Sequence, residues 1–192
     1  MILYIKHMVC GRCKRVVRDI LEELGIEVLR VELGEVETSE LPAAVSMEQI
    51  RQVLADNDFE LLEDRKSVVV EQIKALIVNE VHHDQRERPE HQNLSDFLTR
   101  KIGYEYSYLS HLFSAMEGMT IEKYVIAQKI EKVKEYLRYG ELTLSEIAWR
   151  LGYSSTQHLS NQFKQVVGLT PGDFKKTGLA YRTEIDKVGP PK

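Results

Sequence analysis

Two sets of residues in this 192-residue chain have the types and spacing to do chemistry. The first is Cys10 and Cys13, the only cysteines, in the run H-M-V-C-G-R-C-K-R between a strand-like stretch and a helical pattern. Thiols three residues apart at a helix start face the same way, and the positive end of the helix favours their thiolates. Arg12, Lys14 and Arg15 add positive charge beside them. Two soft sulfurs suit Cu(I), which accepts low coordination. Zn(II) wants four ligands and would need His7, a second subunit or another donor. A thiol switch and an inert structural pair are the alternatives. His82-His83-Asp84 adds imidazoles, but consecutive histidines on a helix point apart, so a solvated helix terminus is expected there.

The second set is carried by a repeat. Leu109 to Tyr124 reads L-S-H-L-F-S-A-M-E-G-M-T-I-E-K-Y, and Leu159 to Phe174 reads L-S-N-Q-F-K-Q-V-V-G-L-T-P-G-D-F, an offset of 50. Upstream, Gly103-Tyr104 recurs as Gly152-Tyr153 at an offset of 49, so one residue is gained between the anchors. Such self-similarity marks a duplicated supersecondary unit. Leu109 and Phe113, like Leu159 and Phe163, are four apart and form a buried face. Ser107, Ser110 and His111 in copy one, and Thr156, Gln157, Ser160 and Asn161 in copy two, then face outward. Short polar side chains of this kind hydrogen-bond base edges, with Gln and Asn suited to adenine. An ordinary solvated face would carry Lys and Glu instead. Lys164, Lys175 and Lys176 are candidates for phosphate contacts, which supply affinity without sequence choice. Across the copies Ser110 matches Ser160, His111 matches Asn161 and Ser107 matches Thr156. Two unlike reading heads imply an asymmetric site.

The elements that must position these residues fall into two groups. The front group reads β-α-β-β-α-β in about sixty residues, a ferredoxin-like α+β plan. Its cues are Ile2 to Lys6 as a strand, Gly25 as a helix stop, Gly34 as a turn, and Ser46 with Gln49 as a capping box. Asp64 to His83 is one continuous helical pattern whose apolar stripe is broader than a simple dimer seam. It could join two subunits, dock on the front group, or do both. A charged stretch with Pro89 follows as a linker. The back group is all-α: two helix-turn-helix units joined by a long helix from Ile121 to Tyr139.

Charge divides along the same line. Residues 1–92 carry 12 Lys and Arg against 19 Asp and Glu, and residues 93–178 carry 11 against 9. An acidic half joined to a mildly basic one suggests different partners. No apolar run approaches the ~20 residues that span a bilayer. No signal peptide is evident, so the expectation is a cytoplasmic protein without membrane partners. One cysteine pair cannot build a disulfide scaffold. No Ser-His-Asp set, cleft of paired carboxylates or phosphate loop emerges, so no catalytic residues and no enzyme are expected.

Two resemblances sharpen this reading. With Met8, Cys10 and Cys13 forming M-x-C-x-x-C before the first helix, and Phe59 before the last strand, residues 1–63 resemble the heavy-metal-associated domain of copper chaperones and metal-transport ATPases. That family's Gly and Thr are replaced by His7 and Val9. The resemblance implies a metal, Cu(I) or Zn(II), at Cys10 and Cys13. No cofactor is expected to be required for DNA binding. E-I-A-W-R-L-G-Y, followed by the second copy of the repeat, resembles the DNA-binding domain of AraC-type transcriptional regulators over Asn93 to Lys176. Here Asn161 stands where a longer basic residue is common, and Leu159 where Phe is frequent. This resemblance implies recognition helices in successive major grooves of double-stranded DNA, with RNA polymerase as a further partner. The expected organisation is residues 1–63 as the metal-associated-like domain, 64–92 as connecting helix and linker, 93–178 as the DNA-binding domain, and 179–192 as a tail. Residues 64–83 are a candidate homodimer seam. The expected function is a DNA-binding regulator modulated by metal or thiol state. The alternative is a carrier that hands Cu(I) to partners, with the helical half as a tether.

Overall fold

Leu3 and Ile5 lie on one buried face of the strand β1 (Ile2–Lys6), the period-two pattern of a strand covered on one side. The computed structural model describes residues 1–83, 88–89, 92–177 and 184–189. After β1 come α1 (Gly11–Glu23), β2 (Val28–Glu32), β3 (Glu35–Thr38), α2 (Met47–Ala55) and β4 (Glu60–Leu62). The strands lie in the order β2-β3-β1-β4, and every neighbouring pair is antiparallel. Gly25 ends α1 at φ +78°, a left-handed conformation that glycine adopts without a Cβ penalty. Its N–H donates to Glu22 O, and the Ile26 N–H donates to Leu21 O. Ser46 and Gln49 close the expected capping box on α2. Val17, Leu21, Ile50 and Leu54 of the two helices join Leu3, Ile5 and Val36 in one core.

The rest is helical: α3 (Arg65–His82), α4 (Leu94–Ile102), α5 (Tyr106–Glu117), α6 (Ile121–Tyr139), α7 (Leu144–Arg150), α8 (Thr156–Val167) and α9 (Pro171–Thr177). Two cores divide α6. Ile121 and Tyr124 pack with Phe97, Leu98, Leu109 and Phe113, whereas Ile130, Val133 and Leu137 pack with Ile147, Leu159, Phe163 and Phe174.

α3 departs from a simple connector. Val69, Val70, Ile73 and Ile77 complete the first helical core, while Val78 belongs to the core of the sheet. The broad stripe on residues 64–83 is therefore shared between two cores of the chain itself. Of the expected linker, residues 84–87, 90 and 91 lie outside the described residues; Arg88 pairs with Glu80 and donates to Gln92 O. The expected tail is partly structural. Within residues 184–189, a 3-10 turn at Ile185–Lys187 precedes Val188, which is buried in the first helical core. The tail's other residues lie outside the described ones. Among the described residues, no helix is long and apolar enough to cross a membrane.

Candidate nucleic-acid interface and thiol loop

Each helix-turn-helix unit is set by local chemistry. The Asn93 side chain caps α4 by accepting from Asp96 N, and Gly103 ends it at φ +83°. Thr143 and Glu146 form a capping box on α7, and Ala148 is buried where α7 approaches its neighbours. α5 and α8 each have 12 residues and start 50 positions apart. Leu109, Phe113, Leu159 and Phe163 are fully buried, as the repeat predicts. Ser107, His111, Gln157 and Asn161 are exposed, and Ser110, Thr156 and Ser160 are half-buried beside them. Gln157 Nε2 donates to Asn161 Oδ1 at 2.8 Å, so these two side chains are held together on one turn of α8. Lys164, Lys175 and Lys176 are all exposed.

The expected match of Ser107 with Thr156 is corrected by one position. The gained residue lies in the turn, where Tyr153-Ser154-Ser155 stands against Tyr104-Glu105, so helix position for helix position Ser107 matches Gln157 and Tyr106 matches Thr156. Sequence reading also passed over Tyr108 and His158, which are exposed on the same faces. Tyr108 stacks near Tyr104 with ring centroids 5.1 Å apart, and His158 meets the Tyr153 ring edge-on at 5.3 Å. Their shared place one residue before each anchoring Leu was the available signal.

The thiols sit where the sequence puts them. Cys10 is the N-cap of α1, Cys13 lies in its first turn, and the sulfurs are 3.3 Å apart. Burial alone would raise the Cys10 thiol. Bonds from the Cys13 backbone and side chain and the Arg12 backbone, with the Arg12 charge, outweigh it and hold Cys10 below the ordinary thiol value. Burial pushes Cys13 up, and its bond to Cys10 and the charge there act the same way. The two sulfurs are thus unlike, Cys10 the more readily ionised and Cys13 the less. Of the expected cations, Lys14 is diverted: its Nζ donates to Glu32 Oε2 at 2.6 Å. Met8 and Phe59 are buried in the sheet core. His7, at φ +71°, turns its Nδ1 to 3.5 Å from an Asp186 carboxylate oxygen. Among the described residues no group of three or more His, Cys, Asp and Glu is arranged to hold a metal. Two thiols alone match the low coordination of Cu(I) and leave tetrahedral Zn(II) short of donors.

The solvated terminus expected at His82-His83 is not what the fold makes of them. The two rings do point apart, but each finds a partner. His83 Nε2 donates to Val9 O at 2.8 Å, and His82 Nε2 bonds Gln128 Oε1 at 2.8 Å. Gln128 is fully buried on α6, and its amide nitrogen donates to Tyr124 Oη and Ile185 O. Its oxygen therefore faces His82, whose Nε2 must carry the proton.

With this geometry in place, comparison with known proteins gives the family. Residues 98–177 match the helix-turn-helix domain family. The regulatory protein SoxS of Salmonella typhimurium is 30% identical over 80 residues, covering 42% of this chain and 75% of that one. The uncharacterized HTH-type transcriptional regulator YtdP of Bacillus subtilis is 23% identical over 162 residues, or 82% of this chain and 20% of YtdP. The C-terminal domain of AraT, a response regulator from Geobacillus stearothermophilus, shares the fold with a TM-score of 0.50 at 24% identity, covering 63% of this chain and 95% of that domain. The chain belongs to the AraC-type helix-turn-helix transcriptional regulators. It spans only about a fifth of the length of YtdP.

Proposed function

We propose that this chain is a sequence-specific DNA-binding regulator, in which α5 and α8 enter successive major grooves and the Cys10–Cys13 loop tunes that binding. The observation that carries the reading is the pair of 12-residue helices with matching buried and exposed positions, both tied to one 19-residue helix. At 1.5 Å per residue α6 spans roughly 28 Å. With the offsets at its ends it accommodates the ~34 Å between successive grooves on one DNA face. Ser107, Ser110 and His111 on α5, and Thr156, Gln157, Ser160 and Asn161 on α8, then meet base edges, joined by Tyr108 and His158. Lys164, Lys175 and Lys176 meet phosphates. Because Ser107 and His111 face Gln157 and Asn161 as counterparts, the DNA site is asymmetric. One chain carries both heads, so a dimer through residues 64–83 is not needed.

The front domain supports the sensor part of this reading through its element order and its two thiols at the head of α1. Cys10 and Cys13 would hold Cu(I), which when bound replaces thiol protons with a metal charge at the helix start. Zn(II) would need donors from elsewhere. A carrier with the helical half as a mere tether fits less well, because α3 shares its side chains between both halves.

Selection of bound duplexes from random-sequence DNA, with reductant alone, with Cu(I) and with Zn(II), tests both parts. The expected result is one asymmetric site of two unlike segments a helical turn apart, with retention that changes on adding Cu(I). No enrichment under any condition overturns the DNA reading. Enrichment indifferent to all three conditions overturns the sensor.

A further inference from the structure

The loop that bears the thiols and the helix that spaces the reading heads are joined by two adjacent side chains. Val9 immediately precedes Cys10, and its carbonyl accepts from His83. Cys13 lies in the first turn of α1 and Met8 is buried, so the Val9–Cys10 backbone is the part of the loop between these two anchors that a group taken up by both sulfurs would displace. Next to His83, His82 bonds Gln128 in the middle of α6, and Lys132 Nζ adds a second tie from α6 to His82 O at 3.4 Å. Gln128 uses its oxygen and nitrogen on His82, Tyr124 and Ile185, so it cannot turn without leaving buried groups unpaired. The 185–187 turn closes the same knot from the other side, with Asp186 against His7 and Ile185 O on Gln128.

We propose that His83 and His82 form a relay, in which His83 follows the position of the thiol loop and His82 passes it to α6, so that the state of Cys10 and Cys13 alters the setting of both reading helices. For its biological input the relay rests on the sensor reading above; the mechanical link does not. The two histidines are positioning residues: the bonds that define their role run to Val9 O and Gln128. Their effectiveness comes from α6 itself, which begins in one helical core and ends in the other, so a shift at Gln128 is felt by both.

Hydrogen exchange of the full chain, read over α6 peptides that contain Gln128, tests the relay without any DNA. The thiol loop is perturbed in two ways: one equivalent of Cu(I) without oxygen, and complete alkylation of the two cysteines with iodoacetamide, verified by mass. In the wild type alkylation should change α6 exchange several-fold. In His83→Ala the change should fall to background while the melt stays a single cooperative transition, and His83→Gln, which keeps a donor toward Val9 O, should restore part of it. On a selected duplex the wild-type shift in Kd should lie in the roughly 5- to 150-fold range usual for coupled sites, and vanish in His83→Ala. An α6 response equally large in His83→Ala, or none in the fully alkylated wild type, overturns the relay. If Cu(I) fails to bind while alkylation still moves α6, the metal part of the sensor reading is lost and the relay stands.

Discussion

His82 carries one bare ring nitrogen in a buried place: Nε2 donates to Gln128, while Nδ1 has no partner among the described residues. Burial first, and the nearby Lys132 and His83 after it, outweigh the Gln128 bond and the Glu135 charge and bring His82 down to about 4. The ordinary value is near 6.5, so between these limits the unfolded chain binds a proton that the folded chain refuses. Stability from the neutral ring is complete above pH 6.5 and is lost as pH falls toward 4. Thermal melts of wild type and His82→Gln from pH 7 to 4.5 should therefore converge, with the wild type losing more; parallel curves would show that His82 is not desolvated. At the other end of the molecule, Gln157 and Asn161 hold each other in place before any DNA arrives. Changing both to Ala should cost ~1–3 kcal/mol for each bidentate pairing with a base that the change removes. Fluorescence anisotropy on a selected duplex reads this, and undiminished specific binding would move the reading face off α8.

At the scale of elements, α5 and α8, the two helices proposed to read DNA, are not equally secured. Ser155 caps α8 by accepting from His158 N, whereas Glu105 at the head of α5 makes no side-chain cap bond. Ser155→Ala should cost about 1 kcal/mol in urea unfolding, and Glu105→Ser should gain a similar or smaller amount. Such local devices explain what was legible beforehand. The Ser46–Gln49 box, the Gly25 stop and the Ile121–Tyr139 helix were all readable because cap, stop and periodicity act within a few residues of themselves. The place of the gained residue was not readable, since an offset change says that a turn lengthened but not at which position the helix resumes. The ties of His82 and His83 were hidden for a stronger reason. Their partners lie 46 and 74 positions away, and one of them is a backbone carbonyl that leaves no trace in residue type.

At the scale of the molecule, the thiol domain and the reading domain share material at both chain positions that link them. Residues 184–189 supply Val188 to the first helical core and Ile185 O to Gln128. Removing residues 184–192 should lower stability by roughly 2 kcal/mol, the burial of one valine together with one hydrogen bond. A chain cut there that melts like the full one would make the docked turn dispensable. The charge asymmetry seen in the sequence maps onto the same division, since the acidic front half holds the thiols and the mildly basic back half holds the reading helices. Between them runs α3, where Ile77 and Val78 are neighbours in the chain and members of different cores. That detail sets where this architecture can be recombined. A chimera that fuses a foreign input domain at Asn93 discards one wall of the first helical core, whereas a junction at Asp64 carries the wall along and loses only the thiol half. The transplantable cassette is therefore longer than its two helix-turn-helix units alone, and the first helix of the cassette also packs into the core of the thiol-bearing half.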